Sequence, residues 1–195
     1  MKLITIITIL VLTTNAIGQV KLQPKTFDNG FKYPHVELSS NKSIEDSINN
    51  QILANIADLK ASDFCIGEYG FVQKGIHIEI LMFCTCIDLD DSEHRYLLFN
   101  TETGEQVEHV DLFDPKQTDK ALALLNKKIQ AYQASDENCK SDFSSLNADS
   151  GFEDFHLRMY KDGIEIRPLN SVNCEKTPLR VTWTEMSTLL RHKYI

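Results

Sequence analysis

Residues 76–87 decide the fold, and they read Ile76-His77-Ile78-Glu79-Ile80-Leu81-Met82-Phe83-Cys84-Thr85-Cys86-Ile87. The run is rich in β-branched and aromatic side chains and is almost continuously apolar, which predicts a central strand covered on both faces. Residues 69–73 and 95–100 have a similar composition on either side, and Lys74-Gly75 between the first two runs supplies a turn. The sequence therefore predicts neighbouring antiparallel strands with residues 76–87 at the centre.

Outward from these strands, two apolar stripes at helical spacing predict two longer helices. The first stripe is Ile44, Ile48, Ile52 and Ile56, with Ser43 as the expected cap and with Asn49, Asn50 and Asn55 expected to face away from the core. The second follows Asp114-Pro115, where Thr118 or Asp119 can cap, and consists of Leu122, Leu125, Ile129 and Tyr132.

Shorter elements complete the prediction. Thr103-Gly104 is expected to turn the chain into a strand at 106–110, and Lys161-Asp162-Gly163 to close a hairpin of 154–160 with 164–168. Residues 19–34 are interpreted as a leader before a short strand at 35–38, residues 133–151 as a polar loop, and 179–183 as a last strand before a short helix capped by Thr184. This mixture predicts an α+β fold, a single domain whose mainly antiparallel sheet is packed by two longer helices and a short C-terminal helix.

The N-terminal 18 residues have the layout of a secretory signal peptide. Lys2 is followed by the apolar run Leu3–Leu12, which is too short to span a bilayer, and then by the small residues of Ala16-Ile17-Gly18. We therefore expect a mature domain of residues 19–195 that is periplasmic or secreted and that does not insert into the membrane after cleavage.

Composition and charge narrow the function classes. Hydrophobic residues make up 42% of the chain and charged residues 25%, as in ordinary globular proteins. The net charge of −8 opposes binding to nucleic acid or to an anionic membrane, since either ligand needs a basic surface. The same charge is compatible with a basic protein partner, and also with mere solubility.

Five cysteines are candidates for disulfide bonds in an oxidising compartment, and an odd number cannot all pair within one chain. We expect Cys65 to bond either Cys84 or Cys86, and Cys139 to bond Cys174, which leaves one free thiol in the 84–86 segment. A redox pair or half of a metal site at Cys84 and Cys86 is the alternative, but no second ligand pair at zinc spacing follows.

Potential ligand atoms are concentrated at Asp88, Asp90, Asp91, Glu93 and His94. Counted from Asp88, an EF-hand needs glycine at its sixth position and a carboxylate at its twelfth, where this chain has Glu93 and Phe99. We interpret the segment as a solvated turn, with weak surface calcium binding as the alternative, and expect no metal and no cofactor.

His77 and Glu79 would share one face of a strand, as an acid–base or metal pair does, although a partly exposed sheet face explains them equally well. No motif of known nucleophilic mechanics is present. Trp183 is expected to pack in the core, whereas Phe31 and Tyr33 are the better candidates for a role that is either exposed or pins the leader to the domain.

The order of several short segments resembles a known family. They are Thr103-Gly104-Glu105, Val110-Asp111-Leu112-Phe113, a helix, Phe155, residues 162–166, Pro168 and residues 181–190. This order resembles the extracellular domain of lysozyme-sensing anti-sigma factors of the RsiV type, and the related accessory domain, of largely unknown function, of the peptidoglycan deacetylase PdaC. The resemblance implies a lysozyme-like protein as a candidate ligand.

The chain departs from that family in two places. Residues 87–94 contain no glycine, and Leu169 and Cys174 stand where the family tends to have tyrosine and glycine. We expect contacts with a partner at Asp88–His94 and Ser171–Pro178. The predicted function is an exported, non-enzymatic binding protein of the cell envelope or extracellular space. The alternative is a small envelope hydrolase or metal-dependent enzyme with scattered catalytic residues.

Overall fold

Groups of two or three strands are separated by helices in a computed structural model of the protein. The structure describes residues 20–39, 41–62, 65–86, 93–135, 151–152, 155–168 and 179–191. The strands in this part are β1 (Val20–Thr26), β2 (Lys32–Leu38), β3 (Cys65–Lys74), β4 (His77–Cys86), β5 (Glu93–Asn100), β6 (Phe155–Tyr160), β7 (Gly163–Pro168) and β8 (Leu179–Thr182). The helices are α1 (Lys42–Asn55), α2 (Ala57–Ala61), α3 (Thr118–Ser135) and α4 (Trp183–Met186), with 3-10 turns at His109–Leu112 and Pro115–Gln117.

The strands are distributed over three antiparallel sheets, in the orders β1-β2, β3-β4-β5 and β6-β7-β8. In the middle sheet β4 lies between β3 and β5, as predicted for residues 76–87, with Ile80 opposite Phe71 on one side and Leu97 on the other. One face of β4 packs through Ile78 and Ile80 into the core that contains α1 and α2. The α+β class with mainly antiparallel strands is therefore confirmed.

The segment expected to be a leader is instead a β-hairpin. Strand β1 pairs with β2 over its whole length, so β2 begins at Lys32 rather than at residue 35. Of the two roles expected for these aromatic residues, the structure shows the pinning one, because Phe31 is fully buried and Tyr33 packs against the same core. The Asn29 side chain secures the turn because it donates to the carbonyl oxygens of Leu59 and Ser62.

Helix α1 has the predicted stripe but a different cap. The Asn41 side chain accepts from the backbone N–H groups of Ser43 and Ile44, so Ser43 lies inside the helix instead of capping it. Asn49, expected to face away, is buried: its amide accepts from Val36 N at 2.8 Å and donates to Val36 O at 2.8 Å. These two bonds attach α1 to the edge of β2 that faces away from β1. A pattern of apolar residues does not predict this contact, because it is made by a polar side chain.

A second core lies between α3, α4 and the inner face of the β6–β8 sheet. Leu125 and Ile129 of α3 pack there as predicted. Leu98 of β5 joins them, on the face of β5 opposite to the one that packs against α1. The 161–163 hairpin is confirmed, with Lys161 and Asp162 as its turn residues. Trp183 packs against this core and donates to the carbonyl oxygens of Tyr160 and Lys161.

Two local predictions in this half of the chain are wrong. Helix α4 is capped by Thr182, which exchanges hydrogen bonds with Glu185 in a capping box, so Thr184 lies within the helix. The strand expected at 106–110 is reduced to a single bridge between Phe99 and Gln106, because the chain then enters the 3-10 turn at His109–Leu112.

Candidate functional site

Glu93 and His94 do not belong to a turn, because β5 begins at Glu93 and places the two side chains on opposite faces of its sheet. The Glu93 carboxylate pairs with Arg95 at 2.7 Å, and Arg95 also bonds Asp58 in the first turn of α2. The His94 ring packs on Phe83 at 5.0 Å between centroids. Asp88, Asp90, Asp91, Cys174 and the segment Ser171–Pro178 lie outside the described residues.

His77 and Glu79 share a strand face as predicted, but that face is buried instead of partly exposed. Their exposed fractions are 1% and 3%. A Glu79 oxygen accepts from the backbone N–H of Met159 in β6 and lies 3.3 Å from His109 Nε2. Burial lowers the pKa of His77 to about 4, so its imidazole is neutral at neutral pH. This geometry makes Glu79 a connection between two sheets.

The cysteines follow half of the predicted scheme within the part of the chain that is described. Cys65 bonds Cys86, its direct cross-strand partner, whereas Cys84 faces Gly67 and stays reduced. Cys139 and Cys174 lie outside the described residues. Cys84 is fully buried, and burial raises the pKa of its thiol to about 11. The alternative of a Cys84–Cys86 redox pair therefore lacks both an accessible thiolate and a free second sulfur.

Alkylation tests the state of Cys84. In the oxidised native protein at pH 8, we expect iodoacetamide to modify Cys84 at least about a hundredfold more slowly than an exposed cysteine, because the thiolate is scarce and shielded. Peptide mapping by mass spectrometry measures this rate, and modification in urea is the control. Rapid labelling of Cys84 without unfolding would contradict the structure and favour the hypothesis of a redox pair at Cys84 and Cys86.

The most exposed apolar side chains of the described residues point to a different surface. Large hydrophobic side chains are exposed at Leu53, Ile66 and Phe71, and the last two lie on β3 with exposed fractions of 56% and 45%. Strand β3 pairs with β4 along one edge, and no strand in the described ranges pairs with its other edge. An unpaired edge with exposed apolar residues is a template for pairing with another chain.

Beside this edge the β1–β2 hairpin and β3 enclose an open groove of about 550 Å³, which we call the β3 groove. Its lining residues are Pro24, Gly30, Lys32 and residues 65–69. The floor is rigid because the Cys65–Cys86 disulfide fixes one end and Cys65 N donates to Asn29 O. Glu68 is exposed at the rim, whereas burial raises the pKa of the Tyr69 phenol.

Sequence analysis missed the groove because it arises between segments that are far apart in the chain. Residues 65–68 received no strand assignment, and the hairpin that forms the opposite wall was interpreted as a leader. The sequence of residues 65–68 has no apolar–polar alternation, because the exposed Ile66 is apolar and the buried Gly67 has no side chain.

Two solved structures have a similar architecture. The chain is similar to a DUF3298 family protein from Bacteroides fragilis NCTC 9343, with a TM-score of 0.50, 12% identity and coverage of 90% of this chain and 93% of that one. It has the DUF3298 fold. A second DUF3298 protein, from Pseudomonas aeruginosa PAO1, matches with a TM-score of 0.51, 8% identity and coverage of 90% and 95%. No protein-family model matches the sequence, and no curated protein matches it.

The DUF3298 fold supports the predicted resemblance at the level of the domain fold, and the specific likeness to RsiV stays a prediction. None of the described helices is long and apolar enough to cross a membrane. The described residues also hold no group of three His, Cys, Asp or Glu side chains placed to share a metal ion. The Cys65–Cys86 disulfide is of the kind that oxidising compartments sustain.

Proposed function

We propose that this chain is an exported, non-enzymatic binding protein of the cell envelope or extracellular space, and that its partner docks at the β3 groove. The observation that carries the proposal is the exposed apolar side chain of Ile66, which lines the groove on a strand whose second edge pairs with no strand in the described ranges. Phe71, also exposed on β3, lies on the opposite face of the strand. Edge strands bind extended segments through their backbone groups, and side-chain pockets beside them supply selectivity. The groove next to β3 provides such a pocket.

A basic protein is the partner that the charges favour. The net charge of −8 attracts a basic protein at long range and raises the rate of encounter. At the groove, Glu68 offers an exposed carboxylate to a lysine or arginine of the partner, next to the apolar contact at Ile66. The resemblance to the RsiV ectodomain family makes a lysozyme-like protein the first candidate.

Calorimetric titration with a c-type lysozyme tests this proposal. We expect saturable one-to-one binding by the oxidised chain, with an affinity that falls between low and physiological salt. Ile66→Ser is expected to weaken binding by about tenfold, since it removes an apolar contact at the centre of the surface. Leu53→Ser is the matched control, because Leu53 is also exposed, at 38%, but lies on α1.

The identity of the partner and the location of the docking surface are tested by different outcomes. Absence of heat, together with undiminished lysis by the enzyme, would contradict a lysozyme-like partner. Binding that Ile66→Ser and Leu53→Ser leave equally strong would contradict the β3 groove as the docking surface.

A further inference from the structure

The outward face of the β6–β8 sheet carries three arginines around one glutamate. The antiparallel registers place Arg158 and Arg180 directly opposite Glu165, one on each neighbouring strand, and Arg167 two residues beyond Glu165 on the same strand. Alternation along a strand puts all four side chains on the same side of the sheet. We call this surface, together with Tyr160, the arginine face.

Charge on the arginine face is not balanced. Glu165 is fully buried beneath the guanidinium groups, with one oxygen bonded to Arg167 Nε and the other 3.5 Å from Arg180 Nε without a hydrogen bond. Arg158 forms no ion pair with any carboxylate in the described ranges. Among the described residues of this surface, one carboxylate thus faces three guanidinium groups, and their excess charge is positive although the whole chain is acidic.

Aromatic rings hold two of these guanidinium groups in place. The Arg158 guanidinium carbon lies 5.2 Å from the ring centroids of both Tyr96 and Tyr160, and that of Arg180 lies 3.9 Å from the Tyr160 centroid. Stacking on a ring leaves the N–H edges of a guanidinium free to donate in its own plane. The side chains of Arg167 and Arg180 are 45% and 37% exposed, so solvent reaches this surface.

We propose that the arginine face is a binding site for an oxyanion, a carboxylate or phosphate group of a ligand, held by Arg158 and Arg180 above the Tyr160 ring. Both guanidinium carbons lie within 5.2 Å of the centroid of that ring, and the strand registers place both side chains on the same side of the sheet. Planar forks of N–H donors match the oxygen pairs of carboxylate and phosphate. This site lies on a different sheet from the β3 groove and does not depend on the function proposed there.

The test measures the melting temperature of the whole oxidised chain with inorganic phosphate, with a hexaglutamate peptide and with chloride at matched ionic strength. A ligand that binds only the native state must raise the melting temperature. We expect a saturable rise with phosphate or with hexaglutamate but not with chloride, and the stronger of the two identifies the chemical group. Equal effects of all three solutes would overturn the proposal, since they would show only screening.

Arg158 is the residue to change, because it has no carboxylate partner within the described ranges and its loss leaves the Glu165 contacts in place. Arg158→Gln is expected to weaken oxyanion binding by at least tenfold, and Arg158→Lys by several-fold, since lysine keeps the charge but not the fork. Lys21→Gln, an exposed change on β1, is the matched control for net charge. Equal affinities of the Arg158→Gln, Lys21→Gln and unmodified chains would also overturn the site.

Discussion

Gly67→Ala is expected to lower the free energy of unfolding by about 4 kcal/mol, above the roughly 1–3 kcal/mol usual for overpacking. A Cβ atom at Gly67 would lie 2.4 Å from Cε2 of Phe31 and 2.5 Å from the backbone oxygen of Lys32. The Phe31 ring is fully buried and the oxygen belongs to β2, so neither can move without displacing the hairpin from the core. Urea denaturation followed by circular dichroism measures the effect.

The same strand contains its own control. Gly70 also lies in β3, and a Cβ there would meet nothing within 4 Å, so Gly70→Ala should change the free energy of unfolding by less than about 0.5 kcal/mol. If the two variants proved equally stable, the close packing of the hairpin against β3, and with it one wall of the β3 groove, would be wrong.

Glu79→Ala is expected to cost about 3 kcal/mol, because it leaves buried polar groups without their partner. The carboxylate accepts from Met159 N and lies beside His109, so its removal strands an N–H group of the β6 edge between the two cores. The cavity that remains adds to the loss. Thermal and urea unfolding of the variant give the magnitude.

Glu79→Gln separates the hydrogen bond from the charge. Glutamine keeps an acceptor oxygen of the same reach for Met159 N, and we expect it to recover more than half of the loss caused by alanine. Equal destabilisation of the alanine and glutamine variants would show that the hydrogen bond to Met159 N does not account for the loss. If both variants were as stable as the unmodified chain, the result would favour the alternative hypothesis that His77 and Glu79 form an acid–base or metal pair.

Local patterns were sufficient where neighbours in the chain decide the structure. The β-branched run at 76–87, the stripe at every fourth residue of α1 and the Asp-Gly signal at 162–163 each predicted an element that the structure contains. Their information is local, because strand and helix periodicities and turn conformations depend on residues a few positions apart. For the disulfide, the sequence assigned the partner of Cys65 to the 84–86 segment but not to one residue in it.

Tertiary structure decided everything that depends on register and on which face is covered. A shift of one residue exchanges the faces of a strand, so only the pairing of β3 with β4 selects Cys86 over Cys84 for the disulfide. Burial of Glu79 requires a second sheet from the other end of the chain to cover β4. Arg158, Glu165 and Arg167 lie on the one hairpin that the Asp-Gly signal predicted, whereas Arg180 reaches Glu165 only through the pairing of β8 with β7. That pairing joins separate segments, and no periodicity within one segment records it.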